Sequence, residues 1–516
     1  MEFYMNTITK RILVVGGGTA GWLTAALLAK KHGQSIEICL VESSDIPTVG
    51  VGEGTWPSMR TTLQKIGISE SEFITQCSAT FKQASKFVDW ISSSSEEYFH
   101  PFTQPAGYGK FDIAPYWESL SSGSSTAPTF CDSVTFQSHM CKMGLAPKNI
   151  THKEYETVAN YGYHLDAGKF AQLLKNHSVS KLNVKHIVAN ITQVNQHPDG
   201  SISNVETDTA GILSAEFFID CTGFSSLLLG QTLGVPFIDK NDILFNDTAL
   251  AMQVPYLDEN DPIACHTIST AQSAGWIWDI GLQHRRGVGY VFSSKHQSLE
   301  DAQQILKNYV GAQAADLPIR KIEFKTGHRE CFWRHNCVAV GLSSGFLEPL
   351  EASALMLVET SANFIADQLP LTKAEMKPME KRFNQVFTAK WRGVIDFLKL
   401  HYVLSERQEP YWQDNKETTS IPDSLQEMLM LWKHRVPSEY DFLQSYEAFN
   451  AASYQYVLYG AGFKPDFSLL AHTLTHGDRA RKQLDVTAKA AQQMALRLPK
   501  HRELINQIKQ QGFAKL

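Results

Sequence analysis

No stretch of the 516 residues is apolar for the roughly 20 positions that a membrane-crossing helix needs, so a membrane-embedded protein is not expected. An excess of basic charge is also missing. Lys and Arg number 47 against 53 Asp and Glu, for a formal charge of −6, which offers no broad basic surface for nucleic acid. The eight cysteines form no CxxC pair and no Cys/His cluster along the chain. Neither a disulfide framework nor a metal site is expected from them, and they read as reduced thiols of a cytoplasmic protein. The opening residues, Met1 to Arg11, include Glu2 and lack a small-residue cleavage site after an apolar core, so no signal peptide is expected. There is no internal repeat and no low-complexity linker. Solenoids and beaded domains are thereby set aside in favour of intimately joined parts.

What remains is ordinary globular composition, 43% hydrophobic and 19% charged, long enough for a large core. Residues 11–15 form a short apolar run, followed by a glycine-rich turn over 16–21 and an apolar helical stretch over 22–31. Residues 35–42 predict a second strand, making a βαβ start. Residues 91–150 are rich in Ser, Pro and aromatics without clear periodicity and predict an ordered insertion. A helix is expected over 163–176, strands over 183–207 around the turn sequence HPDGS, a buried strand over 217–220 and several strands within 244–295. Helices are expected to dominate after residue 355, notably over 372–404, 424–434 and 479–510.

Gly16, Gly18 and Gly21 form GxGxxG, with Thr19 and Ala20 between the last two. The first glycine allows the tight turn, the second lets backbone approach a pyrophosphate, and the third lets helix pack on strand. The helix start then supplies free N–H groups and partial positive charge. Glu42 closes the second strand 21 residues after Gly21, where an acid that binds ribose belongs. A dinucleotide site is therefore expected at Gly16, Gly18, Thr19, Ala20, Gly21 and Glu42. Residues 217–223 (FFIDCTG) and 341–345 (GLSSG) resemble the later nucleotide contacts of flavin monooxygenases. That likeness favours FAD over NAD and adds Gly341 and Leu342 to the expected cofactor contacts.

Longer segments are more specific. GGGTAGW (16–22), VGEGTWPS (51–58), FKQASKFVDW (81–90), GWIWDI (275–280), GYVFSS (289–294) and GLSSGFLEPLEASAL (341–355) together resemble the flavin-dependent tryptophan halogenases, from about Arg11 to Pro465. The resemblance implies an α/β fold: a Rossmann-type FAD-binding domain of the flavin monooxygenase type, with a β-rich substrate part and a helical C-terminal part. Residues 1–355 would form the FAD-binding domain, interrupted by a β-rich region at about 80–295, and residues 356–516 a helical region covering the substrate.

The resemblance also implies a mechanism. A separate flavin reductase, bound transiently, supplies reduced FAD. Oxygen and chloride or bromide then yield hypohalous acid, which passes through a tunnel to a lysine beside a small aromatic substrate. Lys82 matches that lysine, whereas Lys86 is read as a solvent-facing strand residue. Glu351 matches the catalytic glutamate, and Glu348 is read as structural. Ser353 and Ala354 fall where backbone N–H groups hold halide, although this chain has Ala-Ser-Ala at 352–354 where the family usually has Ser-Thr-Gly. Trp276 and Trp278 belong to the WxWxIP signature, with Gly281 in place of its proline. His100 and Phe102 match positions that sandwich an indole. The region 445–466 keeps Tyr446, Glu447 and Phe449 but is shorter than in members that grip free tryptophan, so a more open pocket is expected. The alternatives are an aromatic flavin monooxygenase and a non-catalytic FAD-binding protein. A homodimer is compatible with the sequence.

Overall fold

The computed structural model describes residues 9–45, 52–92, 96–121, 128–442 and 447–514. The chain folds as two compact units, each assembled from three segments. The first comprises Met1–Ser78, Leu165–Lys240 and Lys325–Trp391; the second comprises Ala79–His164, Asn241–Phe324 and Arg392–Leu516.

The first unit is built on a six-stranded sheet in the order Trp333–Arg334, Cys337–Ala339, Phe217–Asp220, Arg11–Val15, Glu37–Glu42, Lys185–Val188. Every pairing is parallel except that of Trp333–Arg334 with its neighbour. The strand Arg11–Val15 is central, and Ile12, Leu13, Val14 and Val15 are all buried. Such an unbroken apolar run suits a parallel strand covered on both faces. The helix Thr19–His32 follows, buried continuously from Gly21 to Ala29 and carrying Lys30 and Lys31 in its last turn, whose positive charge suits a helix C-terminus. The strands expected over 183–207 lie at Lys185–Val188, Ile191–Gln196 and Ile202–Thr207.

The second unit carries a seven-stranded sheet in the order Arg320–Glu323, Thr248–Pro255, Arg285–Phe292, Gly275–Gly281, Thr267–Gln272, Ala84–Val88, Glu97–Pro101. Only the pairing of Thr267–Gln272 with Ala84–Val88 is parallel. Leu250, Ile277, Tyr290 and Phe292 from its central strands pack with Leu306 of the helix Leu299–Val310.

Two sequence expectations are corrected, and a third gains detail. The helix expected over 163–176 is a strand at Gly162–Asp166 followed by a helix at Ala167–Leu182. Asp166 is the reason: its carboxylate accepts the Lys169 N–H and caps the helix there. The helix expected over 479–510 is two, Gly477–Arg497 and His501–Gln511, divided at Pro499, which has no N–H to continue the first. The aperiodic region 91–150 holds a strand, Glu97–Pro101, and short helices at Ala114–Ser121, Phe130–Val134 and Gln137–Lys142. Such short pieces carry too few turns to register as a period.

Candidate active site

Gly16 has a φ of +113°, and a Cβ there would lie 2.2 Å from the carbonyl oxygen of Cys221. A Cβ on Gly21 would lie 1.9 Å from the carbonyl oxygen of Gly16, so glycine is what allows helix Thr19–His32 to sit on the turn. Gly18 is the opposite case: a Cβ there would meet nothing within 4 Å. It is the N-cap of the helix, makes no side-chain cap, and no acidic residue occupies the first turn. The helix therefore opens at the glycine turn with N–H groups that no capping side chain or first-turn acid satisfies, and with its positive end there. These residues fit a pyrophosphate, which needs free donors and close backbone approach.

Glu42 ends its strand with Oε1 accepting from Lys175 Nζ at 2.7 Å and His186 Nε2 at 2.8 Å. Its Oε2 is turned toward Gly17, where a Cβ would lie 1.5 Å from it. The acid thus stands at the glycine turn and is held there by two donors. Gly341 (φ +77°) closes the third expected contact; a Cβ on it would lie 2.8 Å from Ala20 Cβ, and Leu342 follows in a single 3₁₀ turn.

One organising residue escaped the sequence reading. Asp220, fully buried, accepts from the Thr222 N–H and hydroxyl and from the N–H groups of Leu228 and Leu229. It shapes the turn after its strand, and the Asp-Cys-Thr-Gly sequence at a strand end was the available signal.

Glu351 is buried, with φ 61° and ψ 8°, and Ala352 has φ 57° and ψ 39°. Two consecutive left-handed residues without glycine cost about 1–2 kcal/mol each. Trp56 Nε1 donates to the Glu351 carbonyl at 2.9 Å and braces the strained pair. The helix Ser353–Asp367 starts immediately after, with Ala352 as an N-cap that has no capping side chain. The N–H groups of Ser353 and Ala354 thus open the helix at its positive end, and Ala354 is exposed.

Lys82 lies in the second unit at the end of the strand Thr80–Lys82, opposite Gly162, and is only 1% exposed. Its Nζ sits 5.4 Å from the ring centre of Phe102. His164, opposite Thr80, is fully buried. Burial, and then the charges of Lys82, His501 and His266, push its pKa well below the ordinary histidine range, so the ring is neutral. Lys86 stands on the next strand, Ala84–Val88, ion-paired with Glu97 and with its side chain 22% exposed.

His100 is buried on Glu97–Pro101 and faces the rings of Phe397 (5.6 Å), Tyr456 (6.2 Å) and Phe449 (6.3 Å). Phe397 stacks on Phe449 at 3.7 Å. Phe397 and Tyr456 were not singled out from sequence, because no local pattern distinguishes them from core aromatics. Trp276 and Trp278 share one face of Gly275–Gly281, their rings edge-to-face at 6.4 Å. Trp278 pairs with Gly289, where a Cβ would come within 2.0 Å of the indole, so the glycine of GYVFSS makes room for it. Gly281 accepts the Thr80 hydroxyl at 2.6 Å and pairs in register with Arg286. Of the late region, Tyr446 lies outside the described residues. Glu447 is pressed against the helix Lys373–Val403 at Gly393, where a Cβ would lie 2.5 Å from its Oε2.

The family model for tryptophan halogenase matches residues 11–475. The chain is 35% identical over 480 residues to tryptophan 6-halogenase SttH of Streptomyces toxytricini, covering 89% of this chain and 90% of that protein. It is 30% identical over 501 residues to tryptophan 7-halogenase RebH of Lentzea aerocolonigenes, covering 92% and 93%. The crystal structure of a tryptophan halogenase from Shewanella frigidimarina superposes with a TM-score of 0.95 at 46% identity, covering 99% of this chain and 100% of that one. This chain therefore belongs to the flavin-dependent tryptophan halogenase family and is a flavin-dependent halogenase.

Proposed function

We propose that this halogenase transfers chlorine or bromine to an electron-rich, indole-type ring through hypohalous acid delivered to Lys82. The observation that carries the reading is the burial of the Lys82 ammonium against the Phe102 ring. Burying a lysine without a task is costly, and here its terminal nitrogen is set beside a flat aromatic surface. FAD fits the glycine turn, and when reduced it supplies the electrons that activate oxygen for halide oxidation. Gly16, Gly18, Thr19, Ala20 and Gly21 would hold its pyrophosphate, Glu42 its ribose, and Gly341 with Leu342 its flavin end. The N–H groups of Ser353 and Ala354 would hold the halide.

Lys82 then binds and polarises hypohalous acid by hydrogen bonding, or carries the halogen on nitrogen, while the neutral ring of His164 adds no competing charge. Halogen adds to the ring as an electrophile, a cationic intermediate forms, and a proton leaves. Glu351 stabilises the cation and receives the proton. Trp276 and Trp278 keep the substrate from the flavin, and His100 and Phe102 hold the ring by stacking.

The two curated relatives bear the names of tryptophan halogenases acting at different ring positions, which supports an indole but not one site of attack. Free tryptophan is expected to be a weak substrate. Glu447 is pressed against Gly393, and Asp396 is buried with its carboxylate accepting from Ser424, so neither stands open to an ammonium group. The test is turnover with a flavin reductase, NADH, FAD and bromide over indole, substituted indoles, a phenol and L-tryptophan, read by mass spectrometry. The expected result is a brominated indole formed with higher kcat/KM than brominated tryptophan. An oxygenated product, or no product from any aromatic, overturns the reading.

A further inference from the structure

Cys141, Cys265 and His266 are far apart or unremarkable along the chain, yet in the second unit they converge. The two sulfurs and one imidazole nitrogen all lie within 4.8 Å of one another, and all three residues are buried. The sequence reading found no Cys/His cluster because 124 residues separate the two cysteines. The cluster is directly linked to the strand of Lys82. The N–H of the next residue, Gln83, donates to the Cys265 carbonyl at 2.7 Å, and the Gln83 side chain donates to the Leu145 carbonyl just beyond Cys141. His164, beside Lys82, feels the charges of both Lys82 and His266.

We infer that Cys141 and Cys265 form a reversible thiol pair that consumes hypohalous acid escaping from Lys82. The inference rests on the hypohalous acid reading above. Thiols react with such oxidants more readily than the surrounding indole and phenol rings, and two sulfurs within reach can finish the reaction without a permanent lesion. The Cys265 sulfur attacks the halogen of hypohalous acid, forming an S–X bond and releasing water once its thiol proton is counted. The Cys141 sulfur attacks Cys265, the S–S bond forms, halide leaves, and His266 receives the Cys141 proton. Overall two thiols lose two electrons and hypohalous acid is reduced to halide and water. Closing the bond requires the two sulfurs, now within 4.8 Å, to approach the bonded distance of about 2.05 Å.

The arrangement favours this chemistry at Cys265. Burial holds the Cys141 thiol well up, whereas hydrogen bonding from Cys141 and the adjacent His266 hold Cys265 down. A resident metal ion suits the site less well. Among the described residues it has only three donors, and the Lys86 charge acts on Cys141. Both Lys86 and Lys142 lie over the Phe99 ring, at 5.7 and 5.8 Å, and that ring packs edge-on against His266.

The test has two arms on the full chain. In the first, reduced protein without FAD receives one equivalent of hypobromous acid, followed by alkylation and non-reducing peptide mapping. The expected result is a loss of two hydrogens, a Cys141–Cys265 linked peptide, and full reversal by dithiothreitol. Cys265→Ser and Cys141→Ser should abolish the link and shift oxidation onto neighbouring Met and Trp residues. Intact thiols at both positions while other residues are oxidised would overturn the inference, as would stoichiometric bound zinc in the purified protein. The second arm repeats the map after turnover with bromide and no thiol reductant. Brominated product without the linked peptide overturns the inference. Absence of brominated product overturns the halogenation reading instead, and the first arm then still decides whether the thiols pair.

Discussion

Lys82 and Lys86 stand four residues apart, a spacing that on one strand would put both side chains on the same face. They do not share a strand. Gln83 breaks the run, so Lys82 pairs with Gly162 while Lys86 pairs with Phe99 and Ile268. Lys82 is buried against Phe102; Lys86 is partly exposed and ion-paired with Glu97. Lys82→Ala is therefore expected to abolish halogenation while FAD binding, which we assign to the glycine turn in the other compact unit, stays near the parent value in a flavin titration. Lys86→Ala removes a partly exposed ion pair contributing at most about 1 kcal/mol and should leave turnover nearly unchanged. Retained halogenation in the first variant, or its loss in a folded second variant, would reassign the lysine. Glu351→Gln should lower the single-turnover rate of ring halogenation by about 10²–10³, the usual effect of removing a preorganised electrostatic contact. A rate within a few-fold of the parent would remove Glu351 from the mechanism.

At the scale of elements, the helix Ser353–Asp367 carries both the candidate halide end and a buried carboxyl. Glu359 accepts from Ser58 at 2.9 Å and Thr62 at 2.6 Å, tying this helix to Ser58–Ile66. Burial raises its pKa from the ordinary 4.5 to about 7, outweighing the two hydroxyl hydrogen bonds that lower it. A raised carboxyl binds its proton more tightly when folded than unfolded. Its contribution to stability is thus full below pH 4.5, is lost as pH rises toward about 7, and stays lost above. Glu359→Gln keeps the shape and removes the ionisation. It is expected to melt a few degrees higher than the parent at pH 8, with a flatter pH dependence between pH 4.5 and 7 in thermal scans. Equal pH slopes for variant and parent would show that the carboxyl is not ionising against burial.

For the whole molecule, the first unit has a six-stranded, mostly parallel sheet with one GxGxxG turn at its centre, so no second dinucleotide site for NADH is evident among the described residues. Purified chain with FAD and NADH is expected to consume no NADH until a flavin reductase is added; rapid consumption by the chain alone would contradict this. How much of the molecule was legible beforehand follows from how far each signal travels. The strand Arg11–Val15, the glycine turn and Glu42 lie within one βαβ unit, where chain connectivity sets the distances, and all were read from sequence close to their observed bounds. The Trp276 and Trp278 pair was equally local, since alternation on a strand puts both rings on one face whatever surrounds them. Helix ends were less legible where one capping group decides them, as Asp166 and Pro499 do. Only the tertiary structure buried Lys82 and not Lys86, set Phe397 and Tyr456 around His100, and brought Cys141 to Cys265 and His266. Those outcomes depend on pairings between segments up to several hundred residues apart. Sequence alone determines what each segment prefers, but burial and convergence are decided when distant segments exclude water from the same space.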